Sequence, residues 1–310
     1  MVEHAQQPIL AFDTSTAALA AAVIQGDRIL GEIQSFAERN HSVYIITHLK
    51  QLLEDCGVSR DALGGIAVGG GPGSYTGMRI AVTAAKTLAW AWDKPLVALS
   101  SLEAIAYGAC ERFKKTDALI PSVLHQIQSA DPNMNKGAVW FIPIMDARRG
   151  QVYTASFSYA YGEQWERQAA DGIRLMRDWV DQLLEQVQKQ ANDVAKIYIT
   201  GDLKLHEVEA QRLVEGCAVA GVEVGLFPYE LEGRAIAELG RKRLLEGDTD
   251  DLHTLAPNYT QLHEAEVKLQ EKEAALKAAK EAEELAAQSA SLVSVINADV
   301  DAARVKDAES

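Results

Sequence analysis

Short apolar runs that end on an aspartate or a glycine alternate with longer stretches in which apolar residues return every third or fourth position. The first kind reads as buried strand and the second as amphipathic helix. A strand from Ile9 to Phe12 ends at Asp13, and a Thr/Ser turn follows. A second strand runs to about Ile24, Gln25-Gly26-Asp27 makes a hairpin turn, and a third strand begins at Arg28. In HSVYIITHLKQLLEDCG, the residues Ile45, Leu49, Leu52 and Cys56 share one helical face, with Ile46 and Leu53 beside them, and Gly57 ends the helix. GGIAVGG is a short buried strand, a glycine-rich loop follows, and a helix is expected over 76–92. KPLVALSS is another strand, opening a helix near Ser101 with Glu103 in its first turn.

The second half repeats this order. AVWFIPIMDARRGQVYTASFSYAYGEQWERQ reads as strand, Asp, turn, strand, glycine turn, strand; DWVDQLLEQVQ is a helix and KIYITGD a buried strand ending in glycine. Asp13 then corresponds to Asp146, and Val68-Gly69 to Thr200-Gly201, at offsets of 133 and 132 residues. Two unrelated signals sharing one offset point to internal duplication. The expected organisation is a first lobe over 1–108 and a second over 109–262 with a polar, turn-rich insert near 116–137. A charged tail over 263–310 follows, rich in Glu, Ala and Lys, expected to be helical or partly disordered. Its apolar positions, Val267, Leu269, Leu276 and Leu285, keep no heptad.

A net charge of −14 argues against a broad phosphate-gripping surface, because nucleic-acid binding relies on Lys and Arg. Three cysteines, Cys56, Cys110 and Cys217, form no C-x-x-C and predict neither a disulfide framework nor a zinc site. The start MVEHAQQPILAFD lacks the pattern of a signal peptide, and the longest apolar stretch carries Arg79 and Lys86. A cytoplasmic protein without a membrane span is expected.

The loop VGGGPGSYTGMR invites a phosphate reading that its spacing refuses. No Gly-Lys-Ser/Thr completes a P-loop, and Gly71, Gly73 and Gly77 miss the dinucleotide spacing by one residue. What remains is a sharp turn where backbone approaches backbone ahead of a helix. Asp13, Thr14, Ser15 and Thr16 form a strand-end Asp with small hydroxyl residues behind it, the way actin-like ATPases hold magnesium and phosphate, and also ordinary turn chemistry. His41 and His48 lie two helical turns apart with no carboxylate to complete a metal set, and GPGSYTG is not a nucleophile elbow. The alanine-rich helix at 76–92 is apolar on most sides and must be covered on more than one, as a core helix or with its outer face on a partner.

The stretches ILAFDTSTAALAAAV, HSVYIITHLKQLLEDCGV, GGIAVGGGPGSYTGMRIAVTAAKTLAWAWDKPLVALSSLEAIA, IMDARRGQVY and PNYTQLHEAE together resemble the TsaB (YeaZ) family of tRNA threonylcarbamoyladenosine biosynthesis. The resemblance covers most of residues 8 to 160, and 161 to 262 more thinly. It implies an α/β, actin-like (ASKHA, RNase H-like) duplicated two-lobed fold of mixed sheets flanked by helices, with catalysis lost. In the catalytic relative TsaD two histidines bind metal at the positions held here by Ser101 and Ile105, so no metal site and no catalytic residue is expected. The implied role is a scaffold pairing with TsaD for threonylcarbamoyl transfer to N6 of adenosine 37 in tRNA. The implied interface residues are His41, Ile45, Leu49, Leu52, Arg79, Val82 and Lys86. Asp13, Thr14, Ser15 and Thr16 become a vestigial nucleotide site. TsaE, an ATPase, docks on the same assembly, TsaC supplies threonylcarbamoyl-AMP, and a homodimer is a further expectation. ATP or ADP and magnesium belong to the complex, not to the isolated chain, and tRNA is met only through it. The competing readings are an actin-fold ATPase or kinase using Asp13, Thr14 and Thr16, and a peptidase, for which no nucleophile–base pair is in sight.

Overall fold

The computed structural model describes residues 7–36, 41–116, 137–160 and 164–260, without the side chains of 41–43, 115–116 and 192. The body of the 116–137 insert and the whole 263–310 tail lie outside the described residues.

The chain opens as an antiparallel meander, β1 (Ile9–Asp13), β2 (Leu19–Gln25) and β3 (Arg28–Ser35), and then α1 (His41–Asp55) leads to β4 (Gly65–Gly69), parallel to β1. After α2 (Tyr75–Trp92), β5 (Leu96–Leu99) extends the sheet and α3 (Ser101–Thr116) ends the half. The second half runs β6 (Ala138–Asp146), β7 (Gln151–Ala160), β8 (Gln164–Leu175), α4 (Met176–Gln190), β9 (Val194–Gly201), α5 (Glu207–Val219), β10 (Glu223–Pro228) and α6 (Gly233–Glu246). The sheet orders are β3-β2-β1-β4-β5 and, read in the same sense, β8-β7-β6-β9-β10. Element for element the halves match, with Asp13 and Asp146 closing equivalent strands and Gly69 and Gly201 closing the next pair.

Alternation along β1 explains the layering. Leu10 and Phe12 face one way and pack with Ile45, Leu49, Ala81 and Ala85 of α1 and α2. Ile9 and Ala11 face the other way, into a core shared with α3, α6 and the inner face of the second sheet. The outer face of that sheet carries Trp140, Ile142 and Ile144 against Trp179 and Leu183 of α4 and Leu213 of α5. Helices also cross between halves: α3 packs on β6, β7 and β9, and α6 packs on β1, β2, β4 and β5. Residue 108, where the expected first lobe ends, therefore lies inside a helix that serves the second sheet. The alanines of β2, strong helix formers in isolation, lie in a strand that α6 approaches closely; a Cβ on Gly233 would stand 2.3 Å from the Ala21 carbonyl carbon.

The 202–259 region, where the sequence reading places no elements, holds α5, β10 and α6. α5 buries a stripe of only Ala210, Leu213 and Cys217, α6 buries mostly Gly and Ala, and β10 is a half-exposed edge strand ending in proline. Each pattern is too weak or too short to announce itself. Among the described residues no helix is long and apolar enough to cross a membrane.

Candidate functional site

Asp13 closes β1 with its side chain wholly buried. One carboxylate oxygen accepts the Ser15 N–H at 2.5 Å and the other accepts the Ser101 hydroxyl at 2.5 Å. Ser101 opens α3, and its Oγ also accepts the Gly71 N–H at 3.1 Å. Burial pushes the Asp13 carboxyl above the ordinary carboxylate range, against the opposing pull of the hydrogen bonds from Ser101 and Ser15.

The glycine-rich loop lies directly on this turn. The Thr14 hydroxyl donates to Gly77 O at 2.7 Å, and the Ser74 N–H donates to Ser15 O at 2.7 Å. A Cβ on Gly69 would stand 1.6 Å from Asp13 Oδ2, and one on Gly77 would stand 1.8 Å from Thr14 O. These glycines make room for the Asp13 turn rather than for phosphate, as the spacing implies. Ser74 also caps α2, accepting the Gly77 N–H at 3.3 Å and so occupying a donor that an anion would use. A magnesium–nucleotide site needs a carboxylate that meets solvent. Both Asp13 oxygens are engaged and covered, Thr14 and Ser15 are buried, and the Thr16 hydroxyl donates within its own turn to Ala18 O. Asp13, Thr14, Ser15 and Thr16, as arranged, do not fit that group.

A strap over residues 248–260 returns along the open edge of β5. The Asp250 N–H donates to Leu96 O, and Asp250 Oδ2 accepts the Ala98 N–H at 2.7 Å. Leu252 and Leu255 pack onto the α1/α2 core, and Lys86 Nζ donates to Leu255 O at 2.8 Å. The Asn258 N–H donates to Gly70 O, its side-chain amide donates to Asp171 of β8, and Tyr259 sets its ring 5.3 Å from that of Tyr75. Replacing Lys86 by methionine is expected to loosen the strap, costing about 1 kcal/mol for the lost hydrogen bonds, read as faster limited proteolysis between residues 248 and 260. Unchanged proteolysis would refute that role.

The outward side of α1 and α2 is more apolar than a solvated face requires. α1 exposes Tyr44 and Ile46, and α2 exposes Tyr75 and Trp90, the latter at 74%. Arg79 stands between, its guanidinium donating to the Tyr75 hydroxyl at 3.2 Å and lying over that ring. In the second half, Asp146 Oδ1 meets buried His206 Nε2 at 3.1 Å. The β6–β7 turn behind it holds Arg148 and Arg149 at φ of 66° and 53° and Gly150 at 75°. Left-handed geometry costs about 1–2 kcal/mol for each residue with a side chain.

Three likenesses bear on what this arrangement belongs to. A family model for TsaD, tRNA N6-adenosine threonylcarbamoyltransferase, matches residues 29–174. YeaZ from Pseudomonas aeruginosa superposes with a TM-score of 0.58 at 19% identity, covering 82% of this chain and 99% of its own, a likeness of fold. The tRNA threonylcarbamoyladenosine biosynthesis protein TsaB of Bacillus subtilis is 34% identical over 260 residues, 84% of this chain and 96% of that protein. The chain belongs to the TsaB family. Its paired five-stranded sheets, flanked by helices, are a duplicated actin-like fold.

In this TsaB chain the expected site residues scatter between two fates. Ile45, Leu49, Leu52 and Val82, placed on a partner interface by the sequence reading, are core residues, none more than 3% exposed. Ile45, Leu49 and Leu52 belong to the core that α1 and α2 form on the chain's own first sheet. Lys86 is tied to the strap, Arg79 is exposed as expected, and the His41 side chain lies outside the described residues. The helix at 75–92 is not apolar all round: Thr76, Arg79, Thr83, Thr87 and Trp90 line one exposed side of an outer-layer helix. Sequence reasoning missed Tyr44, Tyr75 and Trp90 as surface groups; the signal was aromatic residues on the polar side of an otherwise regular stripe. Ser101 holds Asp13, and Ile105 is buried between the sheets. Among the described residues no three His, Cys, Asp or Glu side chains gather as a metal set.

Proposed function

We propose that this chain is a non-catalytic subunit in the synthesis of threonylcarbamoyladenosine in tRNA. In this reading it pairs with a TsaD-type subunit that transfers the threonylcarbamoyl group to N6 of adenosine 37. The observation that carries the reading is the 34% identity with Bacillus subtilis TsaB over 96% of that protein. The sealed Asp13 turn supports the absence of a nucleotide reaction in the isolated chain, because no carboxylate oxygen there meets solvent. Nucleotide and magnesium then act at the level of the complex, where a TsaE-type ATPase also docks. The docking surface is the exposed side of α1 and α2, where Ile46, Tyr75, Arg79 and Trp90 leave apolar area open to water.

Co-purification with the cognate TsaD tests this, together with measurement of threonylcarbamoyladenosine in tRNA after depletion of the chain. Ile46→Asp and Arg79→Glu change exposed side chains and are expected to move stability by no more than about 0.5 kcal/mol. Combined, they are expected to abolish co-purification and strip the modified base from tRNA. Full binding and normal modification in the double variant would refute the surface; normal modification after depletion would refute the function.

A further inference from the structure

The β6–β7 turn breaks a local rule. The Gln151 N–H donates to Arg148 O at 2.9 Å, closing a four-residue turn whose central residues are Arg149 and Gly150, both at positive φ. That is the geometry in which hairpins favour Asn-Gly, and Arg148 before it is left-handed as well. The turn is held from both sides: the Ala147 N–H donates to Gln151 O, and the Met176 N–H at the start of α4 donates to Gly150 O. Neither arginine is buried; both are exposed at the end of the second sheet. Two long cationic side chains therefore stand at backbone positions that asparagine or glycine would fill with less strain, and strain of this kind gathers at functional sites. Nearby, Asp146 Oδ1 lies 3.1 Å from His206 Nε2.

We propose that Arg148 and Arg149 form a phosphate-contacting element for tRNA in the assembled complex. The inference rests on the function proposed above. The planar guanidinium fork matches phosphate oxygens two at a time, which favours arginine over lysine at such a point. A chain of net charge −14 repels nucleic acid as a whole, so a local pair of arginines at one rigid turn offers an RNA backbone a point of approach. The turn then contributes register and orientation rather than sequence reading.

The test uses the complex of this chain with its cognate TsaD and an unmodified tRNA transcript carrying adenosine 37. Arg148→Asn with Arg149→Asn is expected to weaken tRNA binding about tenfold and to lower the slope of log K against log salt by about 2, one per lost phosphate contact. The same variant should raise the melting temperature of the isolated chain by about 2–4 °C, since asparagine tolerates the left-handed region. A purely structural role for the arginines predicts the opposite shift. Wild-type affinity with an unchanged salt slope in the variant overturns the proposal, as does loss of TsaD co-purification, which would assign the turn to a protein contact. A wild-type complex that neither binds nor modifies the transcript refutes instead the function on which the proposal rests.

Discussion

Replacing Gly77 by alanine is expected to destabilise the folded state severely. The added methyl would stand 1.8 Å from the Thr14 carbonyl oxygen and 2.9 Å from its carbon, and both are backbone, so no rotamer relieves the overlap. The first turn of α2 must then lift from the Asp13 turn, taking with it the Thr14 hydroxyl bond to Gly77 O and the Ser74 N–H bond to Ser15 O. Buried polar groups that lose partners cost about 1–3 kcal/mol each, and the displaced helix opens the α1/α2 core besides. A loss of more than about 4 kcal/mol follows, a large share of the roughly 5–15 kcal/mol that holds a domain folded. Thermal melts followed by circular dichroism check it, with Gly221→Ala as control. Gly221 has φ of 76° but open space around a Cβ, so only the backbone penalty of about 1 kcal/mol applies there. Similar midpoints for the two variants would show that the close approach at Gly77 does not exist.

The second large effect separates charge from hydrogen bonding at Asp13. Asp13→Ala removes the acceptor for the Ser15 N–H and the Ser101 hydroxyl in a place closed to water, at a cost of about 2–5 kcal/mol. Asp13→Asn keeps an acceptor and a similar shape, and should lose far less. The pH dependence gives the sign. The folded carboxyl titrates above its unfolded value, so the folded state holds a proton that the unfolded chain releases near pH 4. The stability this group contributes is therefore full below about pH 4 and declines as pH rises through the folded value. Asp13→Asn removes the decline, so its stability relative to wild type must improve from pH 4 upward. Urea denaturation of both proteins across pH 4 to 8 measures the difference. A difference that stays flat, or falls with pH, would mean that Asp13 is an ordinary ionised carboxylate.

The sealed turn also shows what a motif can conceal. Asp-Thr-Ser-Thr at a strand end is compatible with phosphate work and with ordinary turn chemistry, and the letters do not choose between them. The choice is made by Gly69 and Gly77 of the glycine-rich loop, by Ser101 and by Asn258, from three separate places in the chain, which close over the carboxylate or hold the loop that does. Asn258 is the most distant, and its backbone N–H reaches Gly70 only because the strap has crossed the edge of β5.

The sequence by itself determined the elements whose signals are local. These are the strand–Asp–hairpin meanders, the stops at Gly57 and Gly69, the 132- and 133-residue offsets of the duplication, and the absence of phosphate spacing in the glycine loop. Periodicity reports that a helix has an apolar side, because 3.6 residues per turn is a property of the helix alone. It does not report what covers that side. The stripe of Ile45, Leu49 and Leu52 fits a partner or the chain's own sheet equally well, and tertiary packing assigns it to the sheet, leaving Tyr44, Ile46, Tyr75 and Trp90 outside. α5, β10 and α6 stayed illegible for the same reason. The small residues of α5 and α6 carry little hydrophobic signal and become meaningful only where another backbone approaches, as Gly240 does over Ala67, while β10 is a short, half-exposed edge. Burial by a distant segment is non-local, and it is what converted a nucleotide-like turn into a locked carboxylate.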